Sequence, residues 1–210
     1  MKHLIVFLTL LTLPALAELP PAPANMLEWP LPWNDTTPGL MSADSLIPKP
    51  AGKDGFVVAR DGHFYSGQTR VRFWGVNIAF AGCFPKHDDA DAVAKRLAHF
   101  GFNAVRLHHM DMQPYPNGIF ADGKLETLSP EALEHLDYFI SALKREGIYS
   151  NINLHVSRWY SKAHNWPGAD KTQSFDKIVD IFYPELIDVQ KTYAHDLLGH
   201  VNAYTKLRYA

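Results

Sequence analysis

Only one cysteine, Cys83, occurs in the chain, so no internal disulfide can hold this fold and its stability has to come from a packed core. Charge of one sign is equally scarce: 20 basic residues against 22 acidic ones leave no electrostatic footprint for nucleic acid or an anionic membrane. The partner to expect is uncharged or weakly charged. The apolar run at the amino end falls short of the about 20 residues that a membrane span needs. No glycine-rich phosphate loop follows the first strand, because Gly75-Val76-Asn77 lies within it, and no helix carries a His-Glu-x-x-His pair.

The amino end instead carries an export signal: Lys2, an apolar run from Leu4 to Leu13, a helix-breaking Pro14 and the small triplet Ala15-Leu16-Ala17. Residues 1–17 are therefore expected to leave, with cleavage after Ala17. The product is secreted or periplasmic and free of the membrane after signal cleavage, a retained anchor being the alternative. Residues 18–53 are interrupted by Pro20, Pro21, Pro23, Pro30, Pro32, Pro38, Pro48 and Pro50, and read as a wrapping or linking segment. Residues 54–210 read as the N-terminal part of a barrel; the chain after residue 17 is long enough for one core, and its content of aromatic rings suits a carbohydrate binder, whose flat faces cover the C–H faces of sugars. For any single ring, such as Trp29 or Trp33, packing is the ordinary role.

Gly55-Phe56-Val57-Val58-Ala59 and His63-Phe64-Tyr65 flank Asp61-Gly62, a hairpin signal. After that the pattern alternates. Val71 to Phe80 reads as a buried strand, and Asp88 or Asp89 caps a helix carrying Ala90, Val93, Ala94 and Leu97 before Gly101 ends it. Asn103 to Leu107 reads as a second short buried strand. Ser129-Pro130-Glu131 starts a second helix with the face Leu133, Leu136, Ile140 and Leu143, and residues 148–155 give a third strand. A third helix from Pro184 runs almost to the end. This order implies parallel βαβ crossovers, in an open doubly wound sheet or a closed barrel. Long strand-to-helix loops, 109–128 and 156–183, suit a barrel whose site is built from them. The fold class expected is α/β: a partial (β/α)8 barrel of three strand–helix units, preceded by a small hairpin.

Strand ends in such a sheet point into the site. They deliver Asn77, then Arg106 with His108 and His109, then Asn153 and His155. A buried Arg or His needs a partner, so these residues predict carboxylates opposite them; a structural Arg closing a strand end is the alternative for Arg106. His108, His109, Asp111 and His155 are zinc-ligand types, but adjacent histidines on a strand point to opposite faces, so no metal site is expected. Cys83 lacks a base paired to it in sequence and reads as a structural thiol.

Phe73-Trp74-Gly75-Val76-Asn77, then Phe102-Asn103-Ala104-Val105-Arg106-Leu107-His108-His109-Met110-Asp111, then Leu143 through Tyr149 with Asn153-Leu154-His155, resemble the first three barrel repeats of glycoside hydrolase family 5 and its clan A relatives. The resemblance covers roughly residues 55–210. It implies a retaining glycosidase that needs no cofactor. Arg106 would orient the nucleophile and His155 would line the substrate site, with Asn77, His108, His109, Asp111, Trp159 and Trp166 as further substrate contacts. Such enzymes use two Glu residues about 5–5.5 Å apart, and in the family the acid/base follows an Asn directly. Here no Asn is followed by Glu. The function expected is that of a secreted glycoside hydrolase acting on a poly- or oligosaccharide, present as a fragment without its catalytic Glu pair. A non-catalytic carbohydrate-binding module and an inactive truncated remnant are the alternatives, and the oligomeric state stays open.

Overall fold

Two successive residues with positive φ, Asp61 at 51° and Gly62 at 74°, turn the chain through its first hairpin. Strands β1 (Val57–Arg60) and β2 (His63–Ser66) pair antiparallel across this turn, with Arg60 opposite His63. A third strand, β3 (Thr69–Val71), extends the ladder from the other side of β2. The computed structural model describes residues 25–26, 32–123, 125–156, 158, 160 and 179–210. The chain divides into two units, Met1–Pro32 and Trp33–Ala210, and all the described strands and helices belong to the second. The expected export signal, Trp29, Trp159 and Trp166 lie outside the described residues.

The one strand expected over 71–80 is two. β3 ends at Val71, and a new strand, β4 (Gly75–Ala79), begins in a separate parallel sheet. Asn103 supplies the reason. Its Oδ1 accepts the Trp74 N–H at 2.7 Å and its Nδ2 donates to the Arg72 carbonyl at 2.8 Å. With backbone groups of the intervening residues bound to a side-chain amide, the chain can leave one ladder and enter another without stranding them. At Gly75 an added Cβ would lie 3.2 Å from the Ala104 carbonyl, so a small residue is what lets the two strands approach there.

The parallel sheet has the order β4-β5-β6, with β5 spanning Ala104–His108 and β6 Tyr149–Ile152. Asn77 stands opposite Arg106, and Arg106 opposite Asn151. Helix α1 (His87–His99) crosses from β4 to β5, and α2 (Pro130–Arg145) from the β5 side to β6. Ala90, Ala94 and Ala98 recur at helical spacing on α1 and are fully buried, which brings that helix close to its neighbours. The helix starts at His87, ahead of the expected caps. Asp88 and Asp89 therefore sit inside its first turn, where the helix dipole favours acids, and the capping position is Lys86 without a side-chain bond. On α2 the start is as the sequence suggests: Ser129 Oγ accepts the Ala132 N–H at 3.2 Å and Pro130 occupies the first helical position.

One face of the parallel sheet makes the core. Val105 and Leu107 of β5 are fully buried with Leu136, Phe139 and Leu143 of α2, while Val76, Ile78 and Ile152 pack partly buried around them. The opposite face, carrying Asn77, Arg106 and Asn151, is exposed. Beyond β6 lie a short helix α3 (Val179–Phe182) and the long α4 (Pro184–Gly199), whose Leu186, Tyr193 and Leu197 are buried.

The third helix does not reach the end of the chain as expected. After Gly199 the chain folds back onto α2, and one buried carboxylate explains the reversal. Asp137 faces His200 Nε2 at 2.9 and 3.0 Å, accepts the Ala203 N–H at 2.7 Å and accepts the Tyr209 hydroxyl at 2.5 Å. Asn202 Nδ2 adds a bond to the Asp137 carbonyl at 2.9 Å.

Candidate functional site

Alternation along the strands decides which groups gather at the carboxyl end of the parallel sheet. Arg106 lies between the buried Val105 and Leu107 and so emerges on the exposed face. Its Nη2 donates to Asn153 Oδ1 at 2.8 Å, and Asn153 Nδ2 donates to the His155 carbonyl at 3.2 Å. Arg106, Asn153 and His155 thus form one connected group, with Asn77 beside Arg106 in register.

His155 has a carboxylate on either side. Its Nε2 lies 3.1 Å from Asp180 Oδ2 and its Nδ1 lies 3.7 Å from Asp111 Oδ2. Both aspartates are buried. Asp111 Oδ2 also accepts the Val156 N–H at 3.0 Å, which pins the backbone directly after His155. Burial pushes the Asp111 carboxyl above the usual carboxylate range, against the opposing pull of the Val156 N–H and His155. Asp180 Oδ2 accepts a hydrogen bond from the Tyr160 hydroxyl at 2.8 Å. Next to this group Arg158 is buried over the rings of Phe120, Tyr193 and Tyr160, at 4.6, 5.2 and 5.7 Å, and donates to the Leu125 and Val189 carbonyls. Desolvation lowers the pKa of its guanidinium from the ordinary value.

The adjacent histidines do not part to opposite faces. His108 ends β5, but His109 takes a positive φ of 58°, outside strand geometry, and this turns its ring to within 4.2 Å of the His108 ring. Phe80, at the matching position after β4 and also left-handed at φ 54°, stacks on His109 with centroids 4.5 Å apart. His109 Nδ1 meets Met112 Sδ at 2.8 Å. Among the described residues no group of three His, Cys, Asp or Glu side chains is placed to hold a metal ion.

Sequence reasoning missed Asp180, Tyr160 and Gln190, whose Nε2 binds the Leu154 carbonyl at 2.8 Å. Nothing in the local pattern marks them, because their partners lie on other elements. Cys83 is fully buried, its thiol facing the Ile78 carbonyl at 3.3 Å, and burial pushes its pKa up to about 12. It is expected to stay unlabelled by a thiol reagent at pH 8 until the chain unfolds; rapid labelling of the folded protein would disprove the burial. Because the folded pKa exceeds the ordinary 9.0, this thiol's contribution to stability is present below pH 9 and fades as pH rises toward about 12.

Residues 65–192 match the family model of cellulase (glycosyl hydrolase family 5). Among solved structures, an endo-1,4-beta-mannanase from Rhizomucor miehei resembles the chain with a TM-score of 0.58 at 16% identity, over 74% of this chain and 44% of that one. An endo-beta-1,4-mannanase from Thermotoga petrophila gives a TM-score of 0.45 at 22% identity, over 66% of this chain and 32% of its own. At such identities the first of these speaks for the fold alone, and the second adds nothing to it. The chain spans less than half the length of either. No curated protein matches the sequence significantly. The matched segment covers more than half of the 210 residues and contains Arg106, Asn153, His155 and Asp180, and on it the chain belongs to glycosyl hydrolase family 5.

Proposed function

We propose that this chain supplies the first three strand–helix units of a (β/α)8 barrel in a secreted, retaining glycosidase that cleaves a β-1,4-linked polysaccharide. Family membership supports glycosidase chemistry, and the name of the Rhizomucor miehei mannanase suggests a β-1,4-linked hexose polymer as substrate. The observation that carries the reading is the connected group Arg106, Asn153 and His155 on the exposed face, at the end of a parallel sheet where barrel enzymes build their sites. In this reading the three-stranded antiparallel sheet closes the opposite end, and residues 1–17 direct export.

Arg106 is the positioning cation of this site. A guanidinium offers a planar fork of donors, suited to holding a carboxylate ionised and turned toward the sugar carbon it attacks. The retaining mechanism needs two carboxylates about 5–5.5 Å apart, and in these 210 residues no Asn is followed by the Glu that would serve as acid/base. In this reading His155, Asn77, His108, His109 and Asp111 belong to the same substrate site.

The purified chain is accordingly expected to show no turnover of aryl glycosides, cellulose or mannan, while binding cellotriose or mannotriose weakly. Turnover that survives rigorous removal of contaminating enzymes would overturn this, and would shift the acid and nucleophile roles to residues such as Asp111 or Glu126.

A further inference from the structure

The short helix α3 has its burial inverted. Ile181 and Phe182 are 62% and 77% exposed, yet Asp180 between Val179 and Ile181 is only 6% exposed. Packing alone gives the opposite arrangement, because apolar side chains gain by leaving water and a carboxylate loses. What Asp180 gains is polar: His155 Nε2 at 3.1 Å and the Tyr160 hydroxyl at 2.8 Å, both on the same oxygen. With a proton on Nε2 the ring can donate to that oxygen. Tyr160 in turn approaches Gln190 Oε1 at 3.5 Å, while Gln190 Nε2 holds the Leu154 carbonyl, so the backbone before His155 is tied to α4. On the other side of the ring, Asp111 faces Nδ1 and binds the Val156 N–H after His155. Nδ1 itself, 3.7 Å from Asp111 Oδ2, makes no hydrogen bond to the described residues.

We propose that Asp180 is a positioning residue for the saccharide site: it fixes the tautomer and orientation of His155, and through the His155 carbonyl and Asn153 it fixes the Arg106 guanidinium. Both ring nitrogens are turned toward protein, so His155 offers the ligand a fixed imidazole face and edge instead of a rotating donor. The consequence is that Asp180, which need not touch the sugar, controls how firmly it is held. This role rests on the glycosidase reading for its ligand but not for its internal geometry.

The full chain labelled with nitrogen-15 tests both halves. In the parent protein the His155 imidazole signals are expected to report a protonated Nε2 in slow exchange with water. Asp180→Ala, or the isosteric Asp180→Leu if alanine impairs folding, is expected to abolish that signature and weaken cellotriose or mannotriose binding about tenfold. Asp180→Asn keeps an acceptor and is expected to retain most of both. In a double-mutant cycle, His155→Ala with Asp180→Ala is expected to bind no more weakly than His155→Ala alone. Unchanged His155 signals in Asp180→Ala and Asp180→Leu, or fully additive losses in the cycle, would overturn the positioning role while leaving the family reading intact. Absence of trisaccharide binding by the parent chain would instead remove the sugar site, and the imidazole signals would then decide the geometry by themselves.

Discussion

Arg106→Ala, introduced into a protein that joins this segment to the family's catalytic carboxylates, is expected to lower turnover by about 10²- to 10³-fold. The same change is expected to alter folding stability by less than about 0.5 kcal/mol. The contrast follows from where the side chain lies. Its neighbours Val105 and Leu107 carry the packing, while Arg106 is exposed on the other face and binds Asn153. Its proposed work is done on charge in the transition state, so kcat should fall with little change in KM. Arg106→Lys should recover only part of the loss, because a point charge cannot reproduce the two-pronged guanidinium. Steady-state kinetics beside urea unfolding decide the matter. A variant that unfolds readily but turns over normally in its folded fraction would make Arg106 a structural residue only.

Asp137→Ala is expected to have the reverse profile. Asp137 is 2% exposed and receives the polar groups of residues 200–209, so its removal leaves His200, the Ala203 N–H and the Tyr209 hydroxyl facing an apolar gap. Breaking a buried carboxylate away from its partners costs about 3–5 kcal/mol. For a chain of this size the melting temperature should fall by roughly 6–20 °C. Asp137→Asn should be milder, since the amide oxygen still accepts one bond. Hydrogen exchange reports the location: amides of 200–210 should lose protection first, while those of β5 keep theirs. A melting temperature within about a degree of the parent would show that the tail is held by something else, such as the Asn202 bond to the Asp137 carbonyl, which survives the substitution.

Asp137 was within reach of sequence reasoning. Leu133, Leu136 and Ile140 mark the apolar stripe of α2, and Asp137 falls inside it, four residues after Leu133. An acid on the core face of a helix asks for a partner, and the partner is a tail whose residue pattern reads as a continuing helix. Arg106 was legible for a related reason: a charged residue between two β-formers in a short strand either spoils a core or points to a site. His109 was harder. Strand alternation assumes strand geometry, and its positive φ, which brings two histidine rings together, leaves no mark in the residue order. Asp180 could not have been found at all from pattern. It sits in a four-residue helix with too few positions for a periodicity, and its meaning comes from His155, on another element. The break between β3 and β4 escaped likewise, because apolar residues run on through 71–80 while the side chain of Asn103 takes the hydrogen bonds.

The parallel sheet keeps its strands in the order in which the chain is made, β4 then β5 then β6. During synthesis β5 and then β6 therefore each meet a partner already in place. The carboxylate on α2 is the exception. It emerges from the ribosome long before Ala203 and Tyr209, and until they follow, Asp137 remains in water on the surface of a half-made layer. Those contacts tie residues 200–209, made late, to a helix laid down early.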